Sequence, residues 1–62
     1  MPMPDYRFYT IRHDGHIAGP AITYAAPKDA DALKEANRLL DEDDIEIWQG
    51  ARRVAHLVPN QK

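Results

Sequence analysis

RHDGHIAGP, Arg12 to Pro20, sets two histidines three residues apart around an Asp-Gly pair. Two readings compete for it, a pair of metal ligands or the tight turn of a β-hairpin. Asp-Gly is a strong signal for a two-residue hairpin loop, because a type I′ turn needs positive φ at both central positions, which Asp tolerates and Gly adopts freely. The flanks support the turn. Tyr6 to His13 is rich in aromatic and β-branched residues that pack well on a pleated surface, and it stops at Asp14-Gly15.

The spacing therefore predicts strand one over Tyr6 to His13 and strand two over His16 to Tyr24. In that register His13 faces His16, Ile11 faces Ala18 and Tyr9 faces Pro20. The closeness of the two histidines then follows from hairpin geometry, and no third ligand is placed beside them, so no metal site is predicted. Proline donates no ladder hydrogen bond, so Pro20 puts strand two at an edge or ends its pairing there.

Beyond the hairpin the pattern becomes helical. From Pro27 to about Asp41, Ala30, Leu33, Ala36, Asn37 and Leu40 share one face, widened by Ala32 and Leu39, while Asp31, Lys34, Glu35, Arg38 and Glu42 fall opposite. Pro27 suits the first turn, and Asp29 and Asp31 put negative charge at the positive end of the helix dipole. The carboxylates Asp41 to Asp44 gather where the dipole prefers cations, which predicts a stop near residue 41 or 42. Ile45, Ile47 and Trp48 then read as strand three and Arg52 to Val58 as strand four. A type II′ Gly50-Ala51 turn between them pairs Trp48 with Arg53 and Ile47 with Val54.

The expected fold is a small α+β domain of ββαββ order, an antiparallel sheet of two hairpins with one helix packed on one face. The domain is expected to span residues 5–58, with a disordered tail at 1–4 and a second tail at 59–62. The strand order between the hairpins is not encoded in spacing.

At 62 residues the chain lies near the lower limit for a single core, where about 60% of the unfolded surface is buried. With no cysteine, disulfides and thiolate zinc sites are excluded, and a partner subunit is the simplest remaining source of stability. A net charge of −2 gives no basic field to attract a phosphate backbone, so nucleic acid is not implied overall. Met1 to Pro4 lacks a cationic region followed by an apolar run, and no segment approaches the ~20 apolar residues that cross a bilayer. A cytoplasmic protein with no membrane partner is expected.

Catalytic chemistry has little to work with. There is no Cys or Ser for acyl transfer, and Gly15, Gly19 and Gly50 are too scattered for a phosphate loop. Asp41 to Asp44 lacks the alternating ligands and central glycine of a calcium loop. Asn37, and His56, expected opposite Ile45, read as structural hydrogen-bonding groups. No catalytic residue, metal or cofactor is predicted, and the chain reads as a non-enzyme.

The strand period leaves one sheet face in surplus. Tyr9, Ile11, Ala18, Ile22, Ile45, Ile47 and Val54 are assigned to the helix. The other face carries Tyr6, Phe8, Ile17, Trp48, Ala55 and Leu57 with Thr10, Arg12, Glu46 and Arg53, too apolar for bare solvent. An interaction face of Tyr6, Phe8, Ile17, Trp48, Arg53 and Leu57 is predicted, with a homodimer as its expected use. The alternative is a single-stranded nucleic-acid platform, with Tyr6, Phe8 or Trp48 stacking on bases and Arg12, Arg52 and Arg53 meeting phosphates. A different protein partner stays open.

The succession Tyr6-Arg7-Phe8-Tyr9 to Asp14-Gly15, the alanine-rich Asp29 to Leu40 segment, Ile45-Glu46-Ile47 and Gly50-Ala51-Arg52-Arg53-Val54 spans nearly the whole chain. It resembles short uncharacterised alphaproteobacterial proteins of a domain-of-unknown-function type with a ββαββ pattern. The resemblance implies a fold, and no functional residue comes with it.

Overall fold

The fold is seen in a computed structural model that describes residues 3–59. Its elements are β1 (Asp5–Ile11), β2 (Ile22–Ala25), α1 (Asp29–Leu39), β3 (Asp44–Gln49) and β4 (Arg52–Leu57). The strands form one antiparallel sheet in the order β2-β1-β3-β4, and α1 packs on it. The ββαββ α+β architecture is therefore the one the sequence predicts. The order left open resolves with β3 beside β1, so the two hairpins share an inner seam.

The first hairpin turns differently from expectation. The Gly15 amide donates to the Arg12 carbonyl and the Arg12 amide donates to the His16 carbonyl, both at 2.8 Å, which encloses a three-residue loop, His13 to Gly15. Within this loop only Gly15 has positive φ, at 89°, and no non-glycine residue among the described residues does. A turn followed by a left-handed glycine satisfies the strand twist with a single special residue, so Asp14 is spared the left-handed strain a type I′ loop would impose. The register moves accordingly. Ile11 bridges Ile17 in place of Ala18, and His13 lies in the loop without facing His16.

Strand two is also shorter than the predicted His16 to Tyr24. After the bridge at Ile17 the ladder breaks at Gly19, with φ 80°, and at Pro20, which has no N–H to give. Pairing resumes with Phe8 opposite Ile22 and Tyr6 opposite Tyr24, leaving β2 as a four-residue edge strand. Of the predicted tails, residues 1–2 and 60–62 lie outside the described residues. The Pro4 carbonyl accepts the Ala26 amide at 3.1 Å and carries the β1–β2 contact one bond further.

The second hairpin follows its sequence signal at the turn. Gly50 takes φ 61° at the first central position, as a type II′ loop requires, Gln49 pairs with Arg52, and Trp48 pairs with Arg53. One residue later the strands slip. Ile47 faces Ala55 where Val54 was expected, because a bulge places an extra residue in β4.

These registers settle the faces. The β1–β3 seam sets Phe8 opposite Ile47 and Thr10 opposite Ile45, so the even residues of β1 look toward the helix. The predicted assignment of Tyr9 and Ile11 to the helix side is thus reversed, and the bulge brings Ala55 and Leu57 to that side as well. The core consists of Tyr6, Phe8, Ala26, Ala32, Ala36, Ile45 and Ile47, flanked by Tyr24, Leu33, Leu39, Leu40, Val54, Ala55 and Leu57. The rings of Phe8 and Tyr24 lie 5.9 Å apart in a tilted contact.

α1 begins after Lys28, an extended residue whose side chain gives no capping bond, so Pro27 sits just before the helix and outside its first turn. It ends at Leu39, two residues short of the predicted stop, when Leu40 turns extended with φ −66° and ψ 129°. The helix thereby keeps the acidic run from 41 onward off its negative end. Ala32 and Ala36 are wholly buried against the sheet. Small side chains there allow the helix to lie close on β3 and β4.

Asp29 anchors the first turn. Its Oδ1 accepts the Tyr6 hydroxyl at 2.7 Å and Arg52 NH2 at 3.1 Å, while Oδ2 accepts Arg52 NH1 at 3.3 Å. Arg52 also donates to Gln49 Oε1 at 2.6 Å. One carboxylate thus ties α1 to β1 and to the second hairpin. The Arg52 guanidinium and the Tyr6 hydroxyl hold the Asp29 carboxyl below its ordinary pKa, and the same bond pushes the Tyr6 phenol up.

Two substitutions rank the core against this anchor. Phe8→Ala empties the sheet centre and is expected to cost about 3–5 kcal/mol. That consumes most of the roughly 3–9 kcal/mol expected for a domain this size. Tyr6→Phe keeps the ring and removes one hydrogen bond to a half-exposed carboxylate, an expected loss well below that of Phe8→Ala. Urea denaturation followed by circular dichroism checks both, with the Phe8 variant unfolded or nearly so in buffer and the Tyr6 variant folded with a lower midpoint.

Candidate interaction face

The face turned away from α1 is built by the odd residues of β1, the even residues of β3 and their partners on β4. Across the sheet, Arg7, Trp48 and Arg53 form one row, and Tyr9, Glu46 and His56 form the next. Ile11 pairs with Asp44 beyond them, with Ile17 bridged to Ile11 at the sheet margin. Successive rows are about 7 Å apart along the strands.

Of the six residues predicted for an interaction face, the structure brings together Ile17, Trp48 and Arg53. Tyr6 and Phe8 are 1% exposed under the helix, and Leu57 packs against the same core. Those three are corrected to core residues. The physical cause is parity, since a one-residue change of register exchanges every side chain of a strand between faces. Tyr9 is the converse case, assigned to the core by its period and found on the open face. The result is an amphipathic face, less apolar than the sequence suggests, with Tyr9, Ile17 and Trp48 lining a shallow depression beside Glu46 and Gly50.

A charge cluster borders the depression. Glu46 Oε1 accepts the Trp48 indole N–H at 3.1 Å, and Oε2 lies 3.0 Å from His56 Nδ1 and 3.4 Å from Arg53 NH1. The other ring nitrogen, His56 Nε2, lies 2.8 Å from Asp44 Oδ2. A neutral imidazole has one N–H and one lone pair, so it satisfies only one of these carboxylates, whereas an imidazolium donates to both. Only the protonated ring satisfies both carboxylates at once. Asp44 first and Glu46 second raise the His56 pKa above its ordinary value, and the Trp48 N–H followed by His56 lowers that of Glu46. Sequence reading placed Ile45 opposite His56 and so missed the cluster; only knowledge of the β4 bulge would have put Glu46 there.

The cluster does not converge on a point. The two His56 nitrogens face different carboxylates on opposite sides of the ring, and among the described residues no group of three or more His, Asp or Glu side chains is placed to hold a metal ion. At the hairpin tip His16 pairs with Asp14, Nδ1 to Oδ2 at 3.2 Å, and the His16 amide donates to Asp14 Oδ1 at 3.0 Å. Those contacts brace the turn. Asn37 donates to the Leu33 carbonyl within α1 at 3.2 Å. No helix among the described residues is long and apolar enough to cross a membrane.

Comparison with protein-family models, curated proteins and solved structures finds no match. The chemistry of the face is therefore read from its own residues.

His56 gives the face a defined pH response. A histidine whose folded pKa is raised adds stability that is complete below its unfolded value near 6.5 and is lost as pH rises through the folded value. Dilute protein is expected to lose thermal stability as pH climbs from about 6 through the folded pKa of His56, and Glu46→Gln to bring that folded value closer to 6.5. Ring-nitrogen NMR of His56 across this range, beside melting curves, checks the direction.

Proposed function

We propose that this chain is a small non-enzymatic interaction module that pairs with a second copy of itself through the open sheet face. The observation that carries the reading is the way charge is divided along the strands. Arg7 and Arg53 flank Trp48 in one row, while Glu46 and Asp44 lie to one side of that row, toward the first hairpin, and Asp5 alone lies on the other side, at the end of β1. Two copies packed face to face about a two-fold axis running across the strands lay each arginine row over the other copy's row of Tyr9, Glu46 and His56, which brings Arg53 within reach of the other copy's Glu46, with Tyr9, Ile17 and Trp48 between them. An axis along the strands would instead stack arginine on arginine. Complementarity of this kind selects one arrangement and penalises the other.

The thin core points the same way. The two buried residues of α1, Ala32 and Ala36, are both alanines, so the helix fills little core volume and burial at a second surface would add what one helix cannot. The open face offers a flat footprint of roughly 400 Å² on strand spacings, and side-chain relief would bring the area lost by two copies to about 1,200 Å². That is the low end for specific interfaces, so the pairing is reversible and concentration-dependent.

The nucleic-acid alternative draws less support. Two of its three stacking rings, Tyr6 and Phe8, lie beneath the helix, and Glu46 stands beside Arg53 and Asp29 beside Arg52, where they repel phosphate. A cytoplasmic setting and kinship with the alphaproteobacterial ββαββ proteins belong to the same proposal, the first resting on the cysteine-free composition.

Sedimentation equilibrium at near-neutral pH tests the reading. Wild type is expected to pass from monomer to dimer over tens to hundreds of micromolar, an order-of-magnitude range for so small an interface. Trp48→Ala is expected to stay monomeric with its circular dichroism spectrum unchanged. A wild type that is monomeric throughout, or a Trp48 variant that associates as well as wild type, removes the proposal.

A further inference from the structure

The cluster at His56 bears directly on how such a pairing would be controlled. Glu46 and Asp44 are already served by two cations of their own chain, the His56 ring at 3.0 and 2.8 Å and Arg53 at 3.4 Å from Glu46. Among the described residues no other charged side chain bonds to the ring. β3 presents Asp44 and Glu46 to it, β4 presents Arg53, and β1 offers Tyr9 across the sheet from Glu46. α1 packs on the far side of β4, where Asp29 engages Arg52.

Across the two-fold axis argued above, the Arg53 position of one copy falls over the His56 position of the other, since both lie on β4 in adjacent rows. An arriving guanidinium therefore meets two carboxylates, one imidazolium and the resident Arg53. It is attracted by the carboxylates and repelled by the two cations. Arginine keeps its charge throughout the physiological range, whereas the histidine does not, so the histidine is the group that yields.

We propose that docking of a second copy on the open face expels a proton from His56, because the incoming arginine and the imidazolium compete for the same two carboxylates. The inference rests on the self-pairing reading and adds its regulation, an association that acid dissolves. In the monomer the protonated ring closes the carboxylate pair; in the dimer the partner's arginine does so and the ring is neutral. Each subunit releases up to one proton, so the dimer dissociation constant can change by up to about a hundredfold per pH unit within the titration range.

The test is sedimentation equilibrium of wild type and His56→Gln between about pH 8.5 and about pH 5.5, with ring-nitrogen NMR of wild-type His56 at dilute and concentrated protein. Acidification is expected to weaken wild-type association by about tenfold or more, and His56→Gln to flatten that dependence. The His56 pKa is expected to be lower in the concentrated sample. Association that ignores pH or tightens in acid overturns the inference while leaving self-pairing intact, as does a His56→Gln dimer that keeps the wild-type slope. An unchanged His56 pKa on dimerisation also overturns it, and this readout needs no variant. Wild type monomeric at every pH removes the self-pairing itself and the inference with it.

Discussion

The seam between β1 and β3, with Phe8 opposite Ile47, decides what every other strand residue does. Both strands are internal, so their alternation leaves no freedom at the edges. Once Phe8 and Ile47 look toward the helix, so do Tyr6 and Ile45, while Arg7, Tyr9, Glu46 and Trp48 must look the other way. The outer strands inherit the choice by pairing. β2 aligns Tyr24 and Ile22 with the buried side of β1, and β4 reaches the same side with Ala55 and Leu57 only by inserting a bulge.

One helix then has to cover a four-stranded sheet, and two features allow it. Ala32 and Ala36 are wholly buried in the core cluster and let the helix lie close on β3 and β4, so close packing compensates for small side chains. Asp29 then fixes where along the sheet the helix starts, since a single carboxylate holds the Tyr6 hydroxyl and the Arg52 guanidinium together. Removing that anchor would leave α1 held by the apolar contacts of Ala32, Leu33, Ala36 and Leu39, which are non-directional. Ile22, 47% exposed on the short edge strand, marks where the cover runs out.

Much of this was legible in the sequence, for identifiable reasons. The helix showed because its apolar residues recur at helical spacing over more than two turns, and the Gly50-Ala51 loop showed because a type II′ turn demands glycine at one position. The first turn was legible as a turn but not in length, since Asp-Gly serves both a two-residue loop and a three-residue loop closed by a left-handed glycine. The parity of β1 was not legible. Tyr6 and Phe8 argue for one face while Tyr9 and Ile11 argue for the other, and no local signal separates them. The bulge at Val54 carries no glycine or proline to announce it, so Ala55, Leu57 and His56 were each read one place out of register. The candidate face suffered most, because it depends on parity in three strands at once.

That same parity explains why the open face holds its charges as it does. Burying Ile45 and Ile47 forces Asp44 and Glu46 onto the opposite side, two residues apart, where like charges about 7 Å from one another repel. The sheet offsets this by placing His56 across from Glu46 and within reach of Asp44, with Arg53 one row away. Stability of the fold and chemistry of the face thus draw on the same few groups. A cation from outside that settles on the carboxylates need not add to the balance already present; it can replace a member of it, and the member that can leave most cheaply is a proton. An ion pair of fixed charge, such as Asp29 with Arg52, offers no such exchange, which is why the helix anchor and the open face answer differently to their surroundings.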